Sequence, residues 1–140
     1  MKTLKSILFV FAAALLLTSA AKAQTTAVKA DVPFDFAIGD SVYPAGQYDL
    51  KSVTNNGVMQ IRNARESAVN NFQLSNACTH GTPSQSTKLV FLRMGDSYFL
   101  YQIWVEGRES GREFPKSRNY MQLAKNEKPE VLIVAANISQ

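Results

Sequence analysis

From Val28 to Ile38 the chain alternates without a break. Val28, Ala30, Val32, Phe34, Phe36 and Ile38 occupy one parity, and Lys29, Asp31, Pro33, Asp35 and Ala37 occupy the other. Successive side chains of a β-strand point to opposite faces, so this rhythm lays one face on a core and the other in water. The segment predicts a half-exposed antiparallel strand. Pro33 lacks an N–H and falls on the polar parity, which predicts an edge position or a bulge there.

Turn signals then divide the chain into short strands. Gly39-Asp40 places glycine first, as a type II′ hairpin requires. Pro44-Ala45-Gly46 and Asn55-Asn56-Gly57 are two further turns, and Tyr48 to Lys51 alternates between them. Val58 to Arg62 and Ala68 to Leu74 are weaker strand candidates. Ser75 to Thr87 is rich in Ser, Thr, Gly and Pro and reads as a surface loop holding Cys78 and His80.

The strongest tertiary signal is the pair Leu89–Arg93 and Tyr98–Val105 around Gly95-Asp96. A two-residue loop there sets Arg93 opposite Tyr98, Leu92 opposite Phe99, Phe91 opposite Leu100, Val90 opposite Tyr101 and Leu89 opposite Gln102. Both faces of this hairpin are apolar, which predicts a central position covered by another layer. Arg93 is placed to stack on the Tyr98 ring. Residues 106–118 carry four positive and three negative charges and read as a solvated loop. Ser117 is placed to cap a short helix over 118–126, Pro129 ends it, and Val131–Val134 forms a final strand. The expected fold is therefore all-β: a compact antiparallel sandwich or partly closed barrel of seven or eight short strands, with one short helix in the C-terminal half.

The first 23 residues follow a different logic. Lys2 and Lys5 precede the uninterrupted apolar run Ile7–Leu17, and Ala21-Lys22-Ala23 has the small-x-small form of a cleavage site. That run is too short to cross a hydrocarbon core of about 30 Å as a helix. It predicts a signal peptide over 1–23 cut between Ala23 and Gln24. The product is one exported domain over 24–140, periplasmic or extracellular, with no transmembrane segment after cleavage. Three of the 15 basic residues lie in the leader, leaving 12 against 11 acidic ones. The interspersed, nearly neutral remainder lacks the basic surplus with which proteins displace counterions from nucleic acid.

Chemistry-bearing residues are sparse. Cys78 is the single cysteine, so no disulfide forms within the chain, and a small buried apolar role is the expectation for it. Cys78 and His80 form the one thiol–imidazole pair, but no helix N-terminus is expected beside Cys78 to lower its pKa. One Cys and one His fall short of the three or four ligands zinc draws, and the aspartates are too scattered for a calcium loop. No cofactor motif stands out. Tyr98, Tyr101 and Trp104, with Phe91 and Phe99, are candidates to line an apolar or sugar pocket, although aromatic residues also dominate β cores.

Several phrases together resemble a family of small exported acidobacterial β proteins. They are Val32-Pro33-Phe34-Asp35-Phe36 with Gly39 and Pro44-Ala45-Gly46-x-Tyr48, then Lys88-Leu89-Val90-Phe91-x-Arg93-x-Gly95-Asp96-x-Tyr98-Phe99-Leu100. Gly111-Arg112-Glu113-x-Pro115-Lys116-Ser117-Arg118 follows Trp104. The resemblance covers most of 28–124 and implies export and a compact β fold, with no activity attached. The chain departs from it at Asn119-Tyr120-Met121-Gln122, where relatives commonly alternate acidic and basic residues. The leading expectation is a non-enzymatic envelope accessory or interaction protein. The alternatives are a carrier of a small apolar or sugar ligand inside the sheet and, behind it, a Cys78–His80 enzyme.

Overall fold

A computed structural model describes residues 26–139; the expected leader and the expected cleavage between Ala23 and Gln24 lie outside the described residues. The strands are β1 (Ala27–Val32), β2 (Phe36–Ile38), β3 (Ser41–Tyr43), β4 (Gly46–Ser52), β5 (Val58–Asn63), β6 (Asn70–Leu74), β7 (Asn76–Thr79), β8 (Lys88–Met94), β9 (Ser97–Trp104), β10 (Ser110–Glu113) and β11 (Glu130–Ser139). A single short helix, α1 (Arg118–Leu123), precedes β11. The fold is all-β, and its eleven segments exceed the expected seven or eight for identifiable reasons. The long alternating run is cut at Pro33–Asp35 into β1 and β2, and strands β7 and β10 fall inside two segments that read as loops.

Pairing follows the order β3-β2-β9-β8-β11-β1-β4-β5-β6, with β10 joined to both β7 and β9. Two strands turn corners. In β11, Glu130–Ala135 pairs with β8 and Ala27–Ala30 of β1 takes over at Ala136–Ser139. At the other corner β6 pairs with β5, the chain bends at Ser75, and β7 pairs with β10. Strands that switch layers at a bend are how two crossed sheets share their corners. The result is a curled, mixed sheet forming a partly closed barrel. The β2–β3 hairpin sits in the remaining gap: β2 runs parallel to β9 at Ala37↔Phe99, and Gln73 on β6 donates to the Tyr43 hydroxyl at 3.0 Å.

The hairpin turns follow the sequence closely. Ile38↔Ser41 and Met94↔Ser97 each close a Gly-Asp loop, with Gly39 and Gly95 both at φ +58° and neither aspartate at positive φ. That is the φ pattern of a type II′ turn, whose sense matches strand twist.

The β8–β9 register corrects an expectation. Arg93↔Tyr98, Leu92↔Phe99 and Phe91↔Leu100 pair as read from the sequence, but Val90 then opposes Gln102 and Leu89 opposes Ile103. Tyr101 is the extra residue of a β-bulge, and its carbonyl accepts instead from the Phe114 N–H at 2.8 Å. Because side-chain direction has period two, one inserted residue inverts everything beyond it. Ile103 therefore faces the core, whereas Gln102 and Trp104 face outward.

The interior is apolar and closely packed, with Val32, Ile61, Leu89 and Phe91 sealed from solvent. A second, smaller cluster lies on the outer face of β8 and β9, where Tyr120 of α1 covers Leu92, Met94 and Phe99. Ser117 caps α1 as expected, accepting from the Tyr120 N–H at 3.1 Å. The helix ends at Leu123, short of the expected 126, and three turn residues follow it. No helix among the described residues is long and apolar enough to cross a membrane.

Candidate functional site

The two ends of the barrel are built differently. At one end Phe34, Phe36, Tyr43, Tyr48, Phe91 and Tyr98 fill the interior with rings. Phe36 stacks on Tyr43 at 5.3 Å and meets Tyr48 and Phe91 edge-on at 5.1 and 5.5 Å. Local hydrogen bonds hold this end. The Tyr48 hydroxyl donates to the Pro44 carbonyl at 2.6 Å, and the Asp35 carboxylate accepts from the Ala45 N–H at 2.8 Å. Those bonds give the Pro-Ala-Gly-x-Tyr phrase its physical meaning. The tyrosine reaches back four residues to hold the turn that precedes its own strand.

The opposite end opens into a cavity of about 490 Å³. Its floor is Val28 on β1, Leu50 on β4, Met59 on β5, and Ile103 and Val105 at the end of β9. Its rim is polar, drawn from Thr26, Ser52, Thr54, Asn55 and Ser110, and two arginines, Arg108 and Arg112, complete it. The volume falls within the roughly 300–1,000 Å³ of small-molecule sites, and an apolar floor with a few polar groups is their usual composition.

Electrostatics distinguish this mouth further. Among the described residues, no aspartate or glutamate lines it. The ion pairs found among the described residues, Arg62–Asp49 at 2.7 Å and Arg93–Glu130 at 3.9 Å, involve neither mouth arginine. Arg108 contacts the Thr26 hydroxyl through Nη2 at 3.3 Å, and Arg112 extends toward Gly57 at the corner where β6 becomes β7. Two guanidinium groups on the rim, with no carboxylate among the described lining residues, favour anions there.

The residues singled out in the sequence go to separate places. Tyr98 belongs to the ring-filled end, stacked on Phe34 at 4.0 Å with the Arg93 guanidinium 5.6 Å from its centroid. Tyr101 occupies the bulge, with the Lys116 ammonium 5.3 Å from its ring. Burial, with the Glu113 carboxylate beside it, raises its pKa above the ordinary 10.0. Trp104 faces outward toward a separate recess of about 450 Å³ beneath residues 80–85. Only 4% of Trp104 is exposed: His80 lies 5.1 Å from it, and the Gly111 backbone comes so close that an added Cβ would sit 2.8 Å from the indole. Its N–H donates to Gln102 at 3.0 Å, and Gln102 donates to Glu113 at 2.8 Å. The indole has no free face to offer a sugar.

Cys78 does not lie in a loop. It is half-buried in β7, opposite Gly111 of β10. Burial first, and then Glu113, push its thiol above the ordinary 9.0, against smaller opposing effects of the Gly111 N–H and Arg112. A raised pKa favours the neutral thiol, the opposite of what a nucleophile needs. The His80 ring packs at 5.1 Å from Trp104, and its backbone N–H ties residue 80 to the Glu109 carbonyl at 3.1 Å. No group of three or more potential metal-ligating residues occurs among the described residues.

Sequence reasoning passed over the mouth itself. Arg108 and Arg112 lay in a segment read as a solvated loop, and Ile103 and Val105 point inward only because of the bulge. The one available signal was the repeated Gly-Arg step, Gly107-Arg108 and Gly111-Arg112, which puts two cations four residues apart. Comparison with protein families, with curated proteins and with solved structures finds no match.

Proposed function

We propose that the protein is an exported, non-enzymatic binding protein that holds a small ligand in the open end of its barrel. The carrying observation is the mouth itself, a cavity of about 490 Å³ with an aliphatic floor, to which six strands contribute or lead. A barrel end of this kind is a common seat for small ligands. The leader-like segment 2–23 and the resemblance to small exported acidobacterial proteins support an address outside the cytoplasm. The raised thiol of Cys78 and the separate engagement of His80 support a role without covalent catalysis.

Native mass spectrometry of the protein purified from its own envelope tests the reading. A reproducible added mass is expected, and Val105→Trp, which fills the mouth, should abolish it. A bare chain from the envelope fraction would overturn the reading. It would favour the rival view from the sequence, an envelope accessory that works through its surface.

A further inference from the structure

We infer that the ligand is an anionic amphiphile whose charged head pairs with Arg108 and Arg112 while its apolar tail lies on Val28, Leu50, Met59, Ile103 and Val105. This rests on the binding role proposed above and specifies its chemistry. Three observations converge. Both arginines line the same cavity, no carboxylate lines it with them, and neither takes part in an ion pair among the described residues. The floor beneath them is aliphatic: Val28, Leu50, Met59 and Ile103 close it on the core side, and half-buried Val105 and exposed Val53 present apolar surface to the opening.

Each element of the mouth excludes a ligand class. A cation would meet two guanidinium groups with no acid to offset them. A sugar could meet the polar rim, but its remaining hydroxyls would lie unpartnered on the aliphatic floor. A carboxylate or phosphate head fits the planar donor fork of arginine, which can bind two oxygens at once. Arg108 is partly anchored by Thr26, at 3.3 Å, so less of its side-chain freedom remains to be lost on binding. The rim hydroxyls of Thr54 and Ser110 add neutral donors to the same region, whereas the Ser52 hydroxyl already donates to the Thr54 carbonyl at 3.1 Å.

The same head chemistry reaches the mouth from two sources, a free amphiphile in solution or a lipid in a bilayer. The test is calorimetric titration of the purified protein with three probes of one tail length: dodecanoate, dodecanol and dodecyltrimethylammonium. Dodecanoate should bind at least about tenfold more tightly than dodecanol, the effect of about one charge-assisted hydrogen bond, and the cation should not bind. Raising salt from about 50 mM to about 500 mM should narrow the gap, because the arginines are partly exposed. The double variant Arg108→Gln/Arg112→Gln should bring dodecanoate and dodecanol to within about twofold of one another. Cosedimentation with phosphatidylglycerol vesicles, lost in the double variant, would assign a bilayer source. Its absence alongside saturable one-to-one dodecanoate binding would assign a soluble one. Equal binding of dodecanoate and dodecanol, with both blocked by Val105→Trp, would overturn the anionic assignment while leaving the cavity its role. Failure of all three probes and of vesicles to bind would overturn both.

Discussion

Strands β4 and β9 each run from one end of the barrel to the other, and the two ends they reach are opposites. At one end they contribute Tyr48 and Tyr98 to a nest of rings; at the other they contribute Leu50 and Ile103 to the floor of a cavity that Val105, just past β9, completes. Rings bury large areas and fit edge to face, so the first end is full. Aliphatic side chains on the same barrel circumference leave about 490 Å³ unfilled. One end of the sheet carries cohesion, which frees the other to stay open.

The comparison breaks most visibly at Phe36, which is 2% exposed and touches Tyr43, Tyr48 and Phe91. Phe36→Ala should cost about 3–5 kcal/mol, the usual loss for a buried ring. For a domain of this size that lowers the melting temperature by roughly 12–20 °C. Val105→Ala at the half-buried mouth should cost less than about 1.5 kcal/mol. Similar losses at both sites, measured by thermal denaturation, would refute the assignment of cohesion to the ring-filled end.

Beside the mouth, one corner is rigid. Gly57 is at φ +91°, its carbonyl accepts from both the N–H and the hydroxyl of Ser75 at 2.8 Å, and a methyl group there would overlap the Ser75 carbonyl oxygen. Those contacts fix the bend at which β6 leaves one sheet and β7 joins the other. Gly57→Ala should cost about 3 kcal/mol, combining a disfavoured backbone conformation with a steric clash that side-chain movement cannot relieve. Urea denaturation measures it, and a loss below about 0.5 kcal/mol would show that the corner is held elsewhere.

How much of this was legible follows from how each region is coded. The ring-filled end was open to reading because Phe34, Phe36 and Ile38 keep strict alternation and the Gly-Asp and Pro-Ala-Gly turns punctuate it. Strands β7 and β10 were hidden. Asn76-Ala77-Cys78-Thr79 and Ser110-Gly111-Arg112-Glu113 pair with each other through their backbones, with little apolar alternation to mark a buried face. Backbone pairing needs no hydrophobic pattern, so composition made both segments look like loops. The mouth was hidden for a third reason: the bulge at Tyr101 inverts the parity of Gln102 to Val105. Aromatic content pointed to Trp104 as a pocket residue, whereas the inserted residue turned it outward and brought Ile103 in.

Alkaline pH sharpens the contrast on a smaller scale. Burial lifts the Tyr48 phenol above its ordinary 10.0 and the Cys78 thiol above its ordinary 9.0. Between the unfolded and the raised folded value the folded state holds more protons, so stability falls as pH rises through that window and is unaffected below it. Melting temperature should therefore decline from about pH 9 upward, beginning with Cys78 and continuing with Tyr48. Tyr48→Phe should cost about 1 kcal/mol at neutral pH through the lost bond to Pro44, then show a shallower alkaline decline. Parallel declines for Tyr48→Phe and the parent would exclude this tyrosine as a source of the slope.

The smallest expected effect on folding is at the arginines. Arg62 has a carboxylate partner in Asp49 at 2.7 Å, whereas Arg108 has only the Thr26 hydroxyl at 3.3 Å and Arg112 has no ion-pair partner among the described residues. The double variant Arg108→Gln/Arg112→Gln should thus change the unfolding free energy by less than about 0.5 kcal/mol, with a slight gain if the two cations repel one another. Equilibrium urea denaturation of the ligand-free protein reads this directly. A loss above about 1.5 kcal/mol would make the arginines fastenings of the open end, and the contrast between a cohesive end and a receptive one would no longer hold.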